Sequence, residues 1–314
     1  GKIYRIKPRT NMAVNKWWIS DEVRYGWKFI QRADRLGSMV RKQFGMPVET
    51  DVERAASDAV AGLRKVAASG KKTAVIVSPM LASEEAYLLA KAALAIDPTA
   101  FFAVGPIPVN GQDRHYPPGG DERKRFTVCA EKCPNSRGVR RVLEAVSKSG
   151  QHNGYVASFE QVTSQLRSGE IGGVLVTGNY PTQWTTAEFI TALDGKFVVA
   201  IDTLPSALTE RADILMAGAT FAEKAGTFVN AKGMIQAFEA AIPVKDGART
   251  EGQLAIALLA SAGAPLPANL GLYNAAMIRQ HMASNLPDLG AFVSEVQLPS
   301  VGVEQEADMQ VVEV

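Results

Sequence analysis

Cysteine and histidine are scarce in this 314-residue chain, which contains two cysteines, Cys129 and Cys133, and three histidines. Two thiols exclude a disulfide scaffold and favour a reducing compartment. They are also too few for a four-cysteine iron–sulfur site, and no spacing of cysteine and histidine predicts a zinc site. We therefore expect no metal ligands in this chain.

Long apolar runs and an excess of one charge are also missing. The most apolar stretch, 254–262, is far shorter than the roughly 20 residues of a membrane helix, so we expect a chain that does not span a membrane. The 34 basic and 32 acidic residues leave a net charge of +2, which predicts no surface for nucleic acid. A P-loop, a G-x-S-x-G motif and a G-x-G-x-x-G fingerprint are absent as well.

Strand and helix patterns alternate through the middle of the chain. Continuous apolar runs such as Thr73–Val77, Gly173–Val176 and Phe197–Ile201 are typical of strands buried on both faces. Amphipathic stretches lie between them, so residues 51–264 are predicted to form an α/β domain with a doubly wound, mostly parallel sheet. Glu84 and Glu85 lie in the first turn of the predicted helix that follows Thr73–Val77. We attribute the presence of these two acids to their favourable interaction with the helix dipole.

The flanking regions lose this rhythm. Residues 1–50 are predicted to be a small N-terminal, β-containing subdomain, with a strand at Lys2–Lys7, where charged and apolar residues alternate, and a connector at 32–48. Residues 105–125 are predicted to be an exposed loop, and Gly154–Val156 a short strand. Residues 265–314 are expected to form a surface strap or tail. The chain does not begin with Met, and we treat a longer parent protein as an open alternative.

One block carries a specific resemblance. Asp202 ends a predicted strand and is followed by Glu210, Glu223, the Gly226–Phe228 run and Asn230. This block resembles the molybdopterin oxidoreductase superfamily and, within it, the large iron–sulfur subunit of NADH-quinone oxidoreductase (respiratory complex I). Further matching segments extend the similarity over most of 1–264; they are Gly1–Asn15, Trp18–Asp21, Val77–Pro79, Ser83–Tyr87 and Gly178–Pro181.

The resemblance implies a truncated fold of the formate dehydrogenase or DMSO reductase kind. It implies iron–sulfur clusters in a segment preceding this one in the full-length family. It also implies, as partners, the other subunits of an NADH dehydrogenase peripheral arm, and a cytoplasmic location at the inner membrane through that complex. In cofactor-bearing relatives, the turns after the strands hold a molybdopterin guanine dinucleotide. The corresponding positions here are Ser78, Gly178, Asn179, Asp202 and Thr203.

The physical interpretation of those positions stays open. Ligands of open α/β sheets bind beyond the carboxyl ends of the strands, and backbone amides there suit phosphates. Alternatively, Asp202 caps the next turn, and Gly178 and Asn179 supply a left-handed turn. The five positions are therefore expected to be either a vestigial cofactor pocket or a set of structural turns.

Departures from the family pattern decide the expected function. The region that supplies the metal ligand in catalytic relatives is reduced here to residues 105–135. The family sequence Asn-x-Glu-Gly-Arg is replaced by 230–234, which reads NAKGM. We therefore expect a cofactor-free scaffold without catalytic residues, supporting electron transfer from NADH toward quinone. The alternatives are a molybdopterin guanine dinucleotide-binding oxidoreductase domain and a non-redox interaction module.

The two cysteines also allow two interpretations. Their spacing would place both thiols on one face of a helix, and the neighbouring Lys132 would lower a thiol pKa. His115 and His152 would be the available partners for a metal. The alternative is a pair of ordinary thiols in a loop.

Overall fold

The computed structural model describes residues 1–116, 118–119, 121, 125–150, 153–266 and 270–299. Strands and helices are numbered separately in chain order. The strands are β1 Met39–Gln43, β2 Met46–Thr50, β3 Lys72–Val77, β4 Phe101–Val104, β5 Arg114–Tyr116, β6 Phe126–Val128, β7 Ile171–Thr177, β8 Phe197–Asp202, β9 Ile214–Ala217, β10 Gly226–Val229 and β11 Ile235–Phe238.

Along the chain, most of the helices lie between consecutive strands of the central sheet. They are α1 Asp21–Tyr25, α2 Val52–Ala68, α3 Ser83–Ile96, α4 Ser136–Ser149, α5 Phe159–Ser168, α6 Ala187–Ala192, α7 Ala207–Arg211, α8 Glu251–Ser261, α9 Ala275–Asn285 and α10 Ala291–Ser294. Short 3-10 helices occupy Gly26–Gln31, Phe221–Glu223 and Pro287–Leu289. Among these described helices, none combines the length and the apolar character needed to cross a bilayer.

Seven strands form the central sheet in the order β2-β1-β9-β8-β7-β3-β4. Strands β9, β8, β7, β3 and β4 run parallel, and the β1–β2 hairpin joins β9 in the antiparallel sense. Two separate two-stranded sheets are formed by β5 with β6 and by β10 with β11. This mixed, mostly parallel arrangement confirms the predicted fold class.

Alternate side chains of the central strands enter two different cores. On β3, Val75 and Val77 pack with α2, α3, α4 and α8, whereas Ala74 and Ile76 pack with α5, α6 and α7. Because successive side chains of a strand point to opposite faces, burial on both faces requires helices on both sides of the sheet. The continuous apolar runs in the sequence reflect this double coverage.

The predicted connector at 32–48 is wrong. Residues Met39–Gln43 and Met46–Thr50 form a hairpin, and Val40 and Arg41 pair with β9. The turn between them is made by Phe44 (φ 53°) and Gly45 (φ 80°). Two consecutive left-handed residues are typical of a type I′ hairpin turn. Phenylalanine is not a usual residue there, so the residue types at this turn do not predict it.

Three other local predictions also need correction. Residues 1–10 contain no strand; instead, Gln31 Nε2 donates to the Ile3 carbonyl at 2.6 Å. The 105–125 region contains β5, whose partner is β6. Gly154–Val156 is not a strand, and the neighbouring Ala157 forms only a single bridge to Ala103. Each error concerns the presence or absence of a strand in a few residues. The alternation of apolar and polar side chains over so few residues does not establish a strand unless its pairing partner is known. Of the region predicted to be a strap or tail, 265–314, residues 270–299 contain α9, a 3-10 helix and α10, and residues 300–314 lie outside the described residues.

Candidate functional site

The carboxyl ends of β3, β7 and β8 bring the five predicted site residues to one edge of the sheet. We call Ser78, Gly178, Asn179, Asp202 and Thr203 the strand-end cluster. The Ser78 amide donates to Thr177 Oγ1 at 2.8 Å, and the Asn179 amide donates to Asp202 Oδ1 at 2.9 Å. Its four side-chain-bearing members are at most 5 % exposed. The sequence thus identified neighbouring residues, but they lie inside the protein.

Asp202 is surrounded by donors from its own chain. Its Oδ1 also accepts from the Thr203 amide at 2.7 Å, and its Oδ2 accepts from Trp184 Nε1 at 3.3 Å. Burial raises the pKa of Asp202, and the hydrogen bonds from Asn179 and Thr203 oppose that rise. This geometry matches a carboxylate that caps the turn following its strand.

The Gly178–Asn179 turn is shaped by close contact and by a left-handed residue. A Cβ on Gly178 would collide with the Asp202 carboxylate, so only glycine fits there. Asn179 has φ 72°, as the left-handed turn interpretation expects. Its Nδ2 donates to the Ala219 carbonyl at 2.6 Å and to Glu251 Oε1 at 2.8 Å. The turn therefore connects β7 to β8 and to α8.

Aromatic side chains cover the outer side of this region. Tyr180 stacks on Trp184 with ring centroids 4.9 Å apart, and its hydroxyl donates to the Pro106 carbonyl at 2.7 Å. Burial raises the pKa of Tyr180 well above its usual value. Within the described residues, the Thr203 hydroxyl oxygen is buried without a hydrogen-bond partner.

A buried ion cluster, absent from the sequence predictions, lies beside the strand-end cluster. It consists of Glu84, Glu85, Lys224, Glu251 and Arg279. Lys224 Nζ lies 2.8 Å from Glu85 Oε2 and 2.6 Å from Glu251 Oε2. Arg279 lies 3.0 Å from Glu84. None of the three acids is more than 1 % exposed in its side chain, so the attribution of Glu84 and Glu85 to the helix dipole alone is incomplete.

The electrostatics of the ion cluster follow from three acids sharing two bases. Burial and repulsion from Glu85 outweigh the attraction of Lys224 and raise the pKa of Glu251 to about 8. Burial also raises the pKa of Glu84 despite hydrogen bonds from Thr227 and the charge of Arg279. Burial disfavours the Lys224 ammonium, but Glu251 and Glu85 raise its pKa above the usual value.

A second buried ion pair fastens the N-terminal region to the resemblance block. Arg35 donates to both carboxylate oxygens of Glu223, at 2.9 and 2.8 Å. Burial raises the pKa of Glu223, but the hydrogen bonds from Arg35 and Thr220 more than compensate, and the net shift is downward. Bidentate arginine–carboxylate pairs also fix orientation, so Arg35 holds the segment before β1 against the 3-10 helix at Phe221–Glu223.

The strand-end cluster does not fit a pterin guanine dinucleotide in this conformation. A guanine or ribose needs a free acceptor, whereas the Asp202 oxygens accept from three donors of the chain. Phosphates need exposed amides, whereas those of Ser78, Asn179 and Thr203 donate within the protein. Surface cavities of about 300 and 290 Å³ are lined by other residues.

The two cysteines lie in a loop, so the prediction of one helical face is wrong. Burial and the nearby Glu131 raise the pKa of Cys133 to about 12, and burial and Asp113 raise that of Cys129. Lys132 Nζ donates to the Cys129 carbonyl at 2.8 Å, and its charge lowers the pKa of Cys129 by less than burial and Asp113 raise it. Among the described residues, which do not include His152, no three histidine, cysteine or acidic side chains form a group suited to a metal.

Comparisons with known proteins show which family part of this chain is similar to. A family model described as molybdopterin oxidoreductase matches residues 137–260, a range that contains four members of the strand-end cluster. A stretch of 46 residues is 48% identical to a subunit of the NADH-quinone oxidoreductase of Streptomyces coelicolor. That stretch is 15% of this chain and 6% of the relative, so most of the relative's length has no counterpart in the match. The resemblance seen in the sequence is thereby confirmed.

Proposed function

From this relationship to the molybdopterin oxidoreductases, we propose that the chain is a cofactor-free scaffold within an iron–sulfur subunit of the NADH-quinone oxidoreductase type. The proposal rests on one observation: the polar groups of the strand-end cluster form their hydrogen bonds with other groups of the same chain. Asp202 and Asn179 direct their hydrogen bonds to the protein itself. A pocket used for a dinucleotide would keep such groups available, whereas a scaffold gains rigidity from satisfying them.

The scaffold role is structural rather than catalytic. In this proposal, iron–sulfur clusters lie in a preceding segment of the full-length protein and carry electrons from NADH toward quinone. The chain contributes a rigid body, because the buried ion cluster and the Arg35–Glu223 pair hold its N-terminal region, β10 and helices α3, α8 and α9 together. Its partners would be the other subunits of a peripheral arm, on the cytoplasmic side of the inner membrane.

Purification from the native source would test the proposal. The parent protein, tagged at its chromosomal locus, would be isolated in mild detergent and analysed by mass spectrometry and elemental analysis. We expect near-stoichiometric recovery of NADH dehydrogenase peripheral-arm subunits, with iron present and with molybdenum, tungsten and extractable pterin at background level. A matched preparation of the Lys232→Met variant, which changes an exposed side chain, would control for the effect of substitution.

The same preparation separates two alternatives. The family match favours a molybdopterin guanine dinucleotide-binding domain. In that alternative, the ligand would supply a hydrogen-bond partner to the Thr203 hydroxyl, which has none within the described residues. Near-stoichiometric molybdenum, tungsten or pterin, lost in an Asp202→Ala variant, would support that alternative and overturn the scaffold. Recovery of the protein without any respiratory subunit would instead support a non-redox interaction module.

A further inference from the structure

The first 32 residues carry a local excess of positive charge. They contain eight lysines and arginines and two acids, whereas the rest of the chain contains 26 cations and 30 acids. Arg9, Arg24 and Arg32 interact within the chain. The other five cations of the segment are Lys2, Arg5, Lys7, Lys16 and Lys28. The near-neutral total charge of the protein therefore conceals a basic end.

The same segment buries almost none of its apolar side chains. Of residues 1–34, only Ile30 is buried. The large apolar side chains of the segment that are between 44 and 83 % exposed include Tyr4, Met12, Trp17 and Trp18. Exposed apolar patches mark interaction sites, and aromatic residues, methionine and arginine are enriched in protein–protein interfaces. The segment therefore has the composition of an interface rather than of a core.

The backbone holds the two neighbouring tryptophans in a defined position. The Asn11 amide donates to the Lys16 carbonyl at 2.7 Å, and the Lys16 amide donates to the Asn11 carbonyl at 2.6 Å. Lys16 has φ 57°, a left-handed conformation that is uncommon for residues other than glycine. Asn15 Nδ2 donates to the Trp18 carbonyl at 2.8 Å. The turn that precedes Trp17 and Trp18 is therefore closed and held on both sides.

The β5–β6 hairpin supports the ring of Trp18. Trp18 stacks on Phe126 with ring centroids 5.5 Å apart, and Phe126 stacks on Tyr116 at 5.6 Å. Glu22 lies 3.1 Å from Lys132 and so joins α1 to the residues that follow β6. Side chains that are ordered before a partner binds lose less entropy on binding. We call Trp17, Trp18 and Tyr116, together with the cations of residues 1–32, the aromatic–basic face.

Two acids within this face distinguish between the classes of partner that positive charge and aromatic rings attract. Asp21 and Glu22 are exposed at the start of α1, close to Trp18, where they would repel the phosphates of a nucleic acid or of an anionic membrane. A protein surface can match a mixed pattern of charges. We propose that the aromatic–basic face binds an acidic surface of another polypeptide, with Trp17 and Trp18 entering its apolar centre. That this polypeptide is a peripheral-arm subunit rests on the proposed function.

Carbodiimide cross-linking of the assembly purified from the native source tests this proposal. The reagent joins a carboxylate directly to a lysine amine in contact with it, and mass spectrometry identifies the linked residues. We expect links to aspartate or glutamate of one other polypeptide, which nuclease treatment does not remove, from Lys2, Lys7, Lys16 or Lys28. The proposal is overturned if these lysines link only within the chain, only to a second copy of it, or not at all.

Substitutions of the face should release the linked polypeptide. Trp17→Ala should lower the amount retained at about 0.15 M salt at least tenfold, because tryptophan is a frequent hot spot of interfaces. The variant Lys2→Glu, Arg5→Glu, Lys7→Glu should lose the polypeptide at lower salt than the parent chain does. Trp18→Ala would also remove the contact with Phe126, so the test uses Trp17.

Matched variants control for the loss of an aromatic ring and for the reversal of charge. Tyr155→Ala removes another exposed aromatic side chain, and Lys65→Glu, Lys71→Glu, Lys91→Glu reverses three other exposed cations. Both should retain the linked polypeptide as the parent chain does, and circular dichroism should show that all variants are folded. Unchanged retention in both face variants would overturn the proposal.

The results separate this inference from the proposed function. Recovery of peripheral-arm subunits without a link to the face would leave the scaffold intact and overturn the inference. A link from the face to an acidic polypeptide outside the arm would support the inference and contradict the scaffold. Binding to phosphatidylglycerol vesicles or to RNA that Trp17→Ala abolishes, without a linked polypeptide, would overturn the inference in favour of a membrane or a nucleic acid.

Discussion

Lys224 and Glu251 form a salt bridge of 2.6 Å between side chains that solvent does not reach. The same ammonium lies 2.8 Å from Glu85, so one cation serves two carboxylates from the N-terminal turns of α3 and α8. Glu251 also accepts from Asn179 at 2.8 Å. This chain of contacts joins the resemblance block, two helices and the strand-end cluster, and makes Lys224 the central charge of the region.

Replacing Lys224 by methionine should be strongly destabilising. The change would leave Glu85 and Glu251 buried without their cation, and removal of one partner from a buried ion pair costs about 3–5 kcal/mol. Urea unfolding followed by circular dichroism would measure the free energy of unfolding. The exposed Lys232→Met change should alter it by less than about 0.5 kcal/mol. Equal stability of the two variants would contradict the central role of Lys224.

The ionisation of Glu251 should make stability depend on pH. Its pKa of about 8 in the folded chain exceeds the ordinary value of 4.5, so the folded state binds the proton more tightly than the unfolded state. The free energy of unfolding should therefore fall as pH rises toward 8. Between pH 6.5 and 8, the ionisation of Glu251 should lower the free energy of unfolding of the parent chain by about 1 kcal/mol per pH unit. The Glu251→Gln variant should lack this contribution.

The difference between the parent chain and the variant isolates Glu251 from the other titrating groups, among them Glu84 and Asp202, whose pKa values burial also raises. The pKa of His281 lies below its usual 6.5, so its contribution to the slope has the opposite sign and is present in both the parent chain and the variant. The lowered pKa values of Asp97 and Glu223 act only in the acidic range. Glu160→Gln, an exposed change on α5, serves as the control. A Glu251→Gln slope identical to that of the parent would show that Glu251 is ionised throughout.

The buried ion cluster shows where sequence reasoning stops. Strands such as β3 and β8 were predictable because burial on both faces requires a continuous apolar run. Glu84 and Arg279, by contrast, are 195 positions apart, and two acids at a helix start have a sufficient local explanation. A signal was present in Lys224, a lone cation inside the mostly apolar 217–229 stretch, but its partners are fixed only by the tertiary fold.

The strand-end residues illustrate a different limit. The rule that strand ends converge in an open α/β sheet correctly grouped Ser78, Asn179 and Asp202. Whether such polar groups face a ligand or one another depends on side-chain packing, here on Trp184 and Glu251. The β1–β2 hairpin was missed for a local reason, because Phe44 occupies a left-handed turn position that usually signals itself by Asn or Gly.

The two thiols should behave as unreactive side chains. With a pKa of about 12, Cys133 is almost entirely protonated at pH 8, and only the thiolate is nucleophilic. Alkylation by iodoacetamide should be more than about tenfold slower for Cys133 than for a free thiol of ordinary pKa. The single variants Cys129→Ser and Cys133→Ser isolate each thiol. A reactivity profile with a midpoint below pH 8 would restore the activated-thiol hypothesis.

Substitution of Gly178 by alanine tests the packing of the strand-end cluster. The new methyl group would collide with the Asp202 carboxylate, and overpacking of a buried site costs about 1–3 kcal/mol. Gly26→Ala, where no atom lies within 4 Å of the added Cβ, should leave the free energy of unfolding nearly unchanged. Because the clash needs both groups, Gly178→Ala should cost much less in an Asp202→Ala background. Additive effects would mean that the turn and the carboxylate are not in contact.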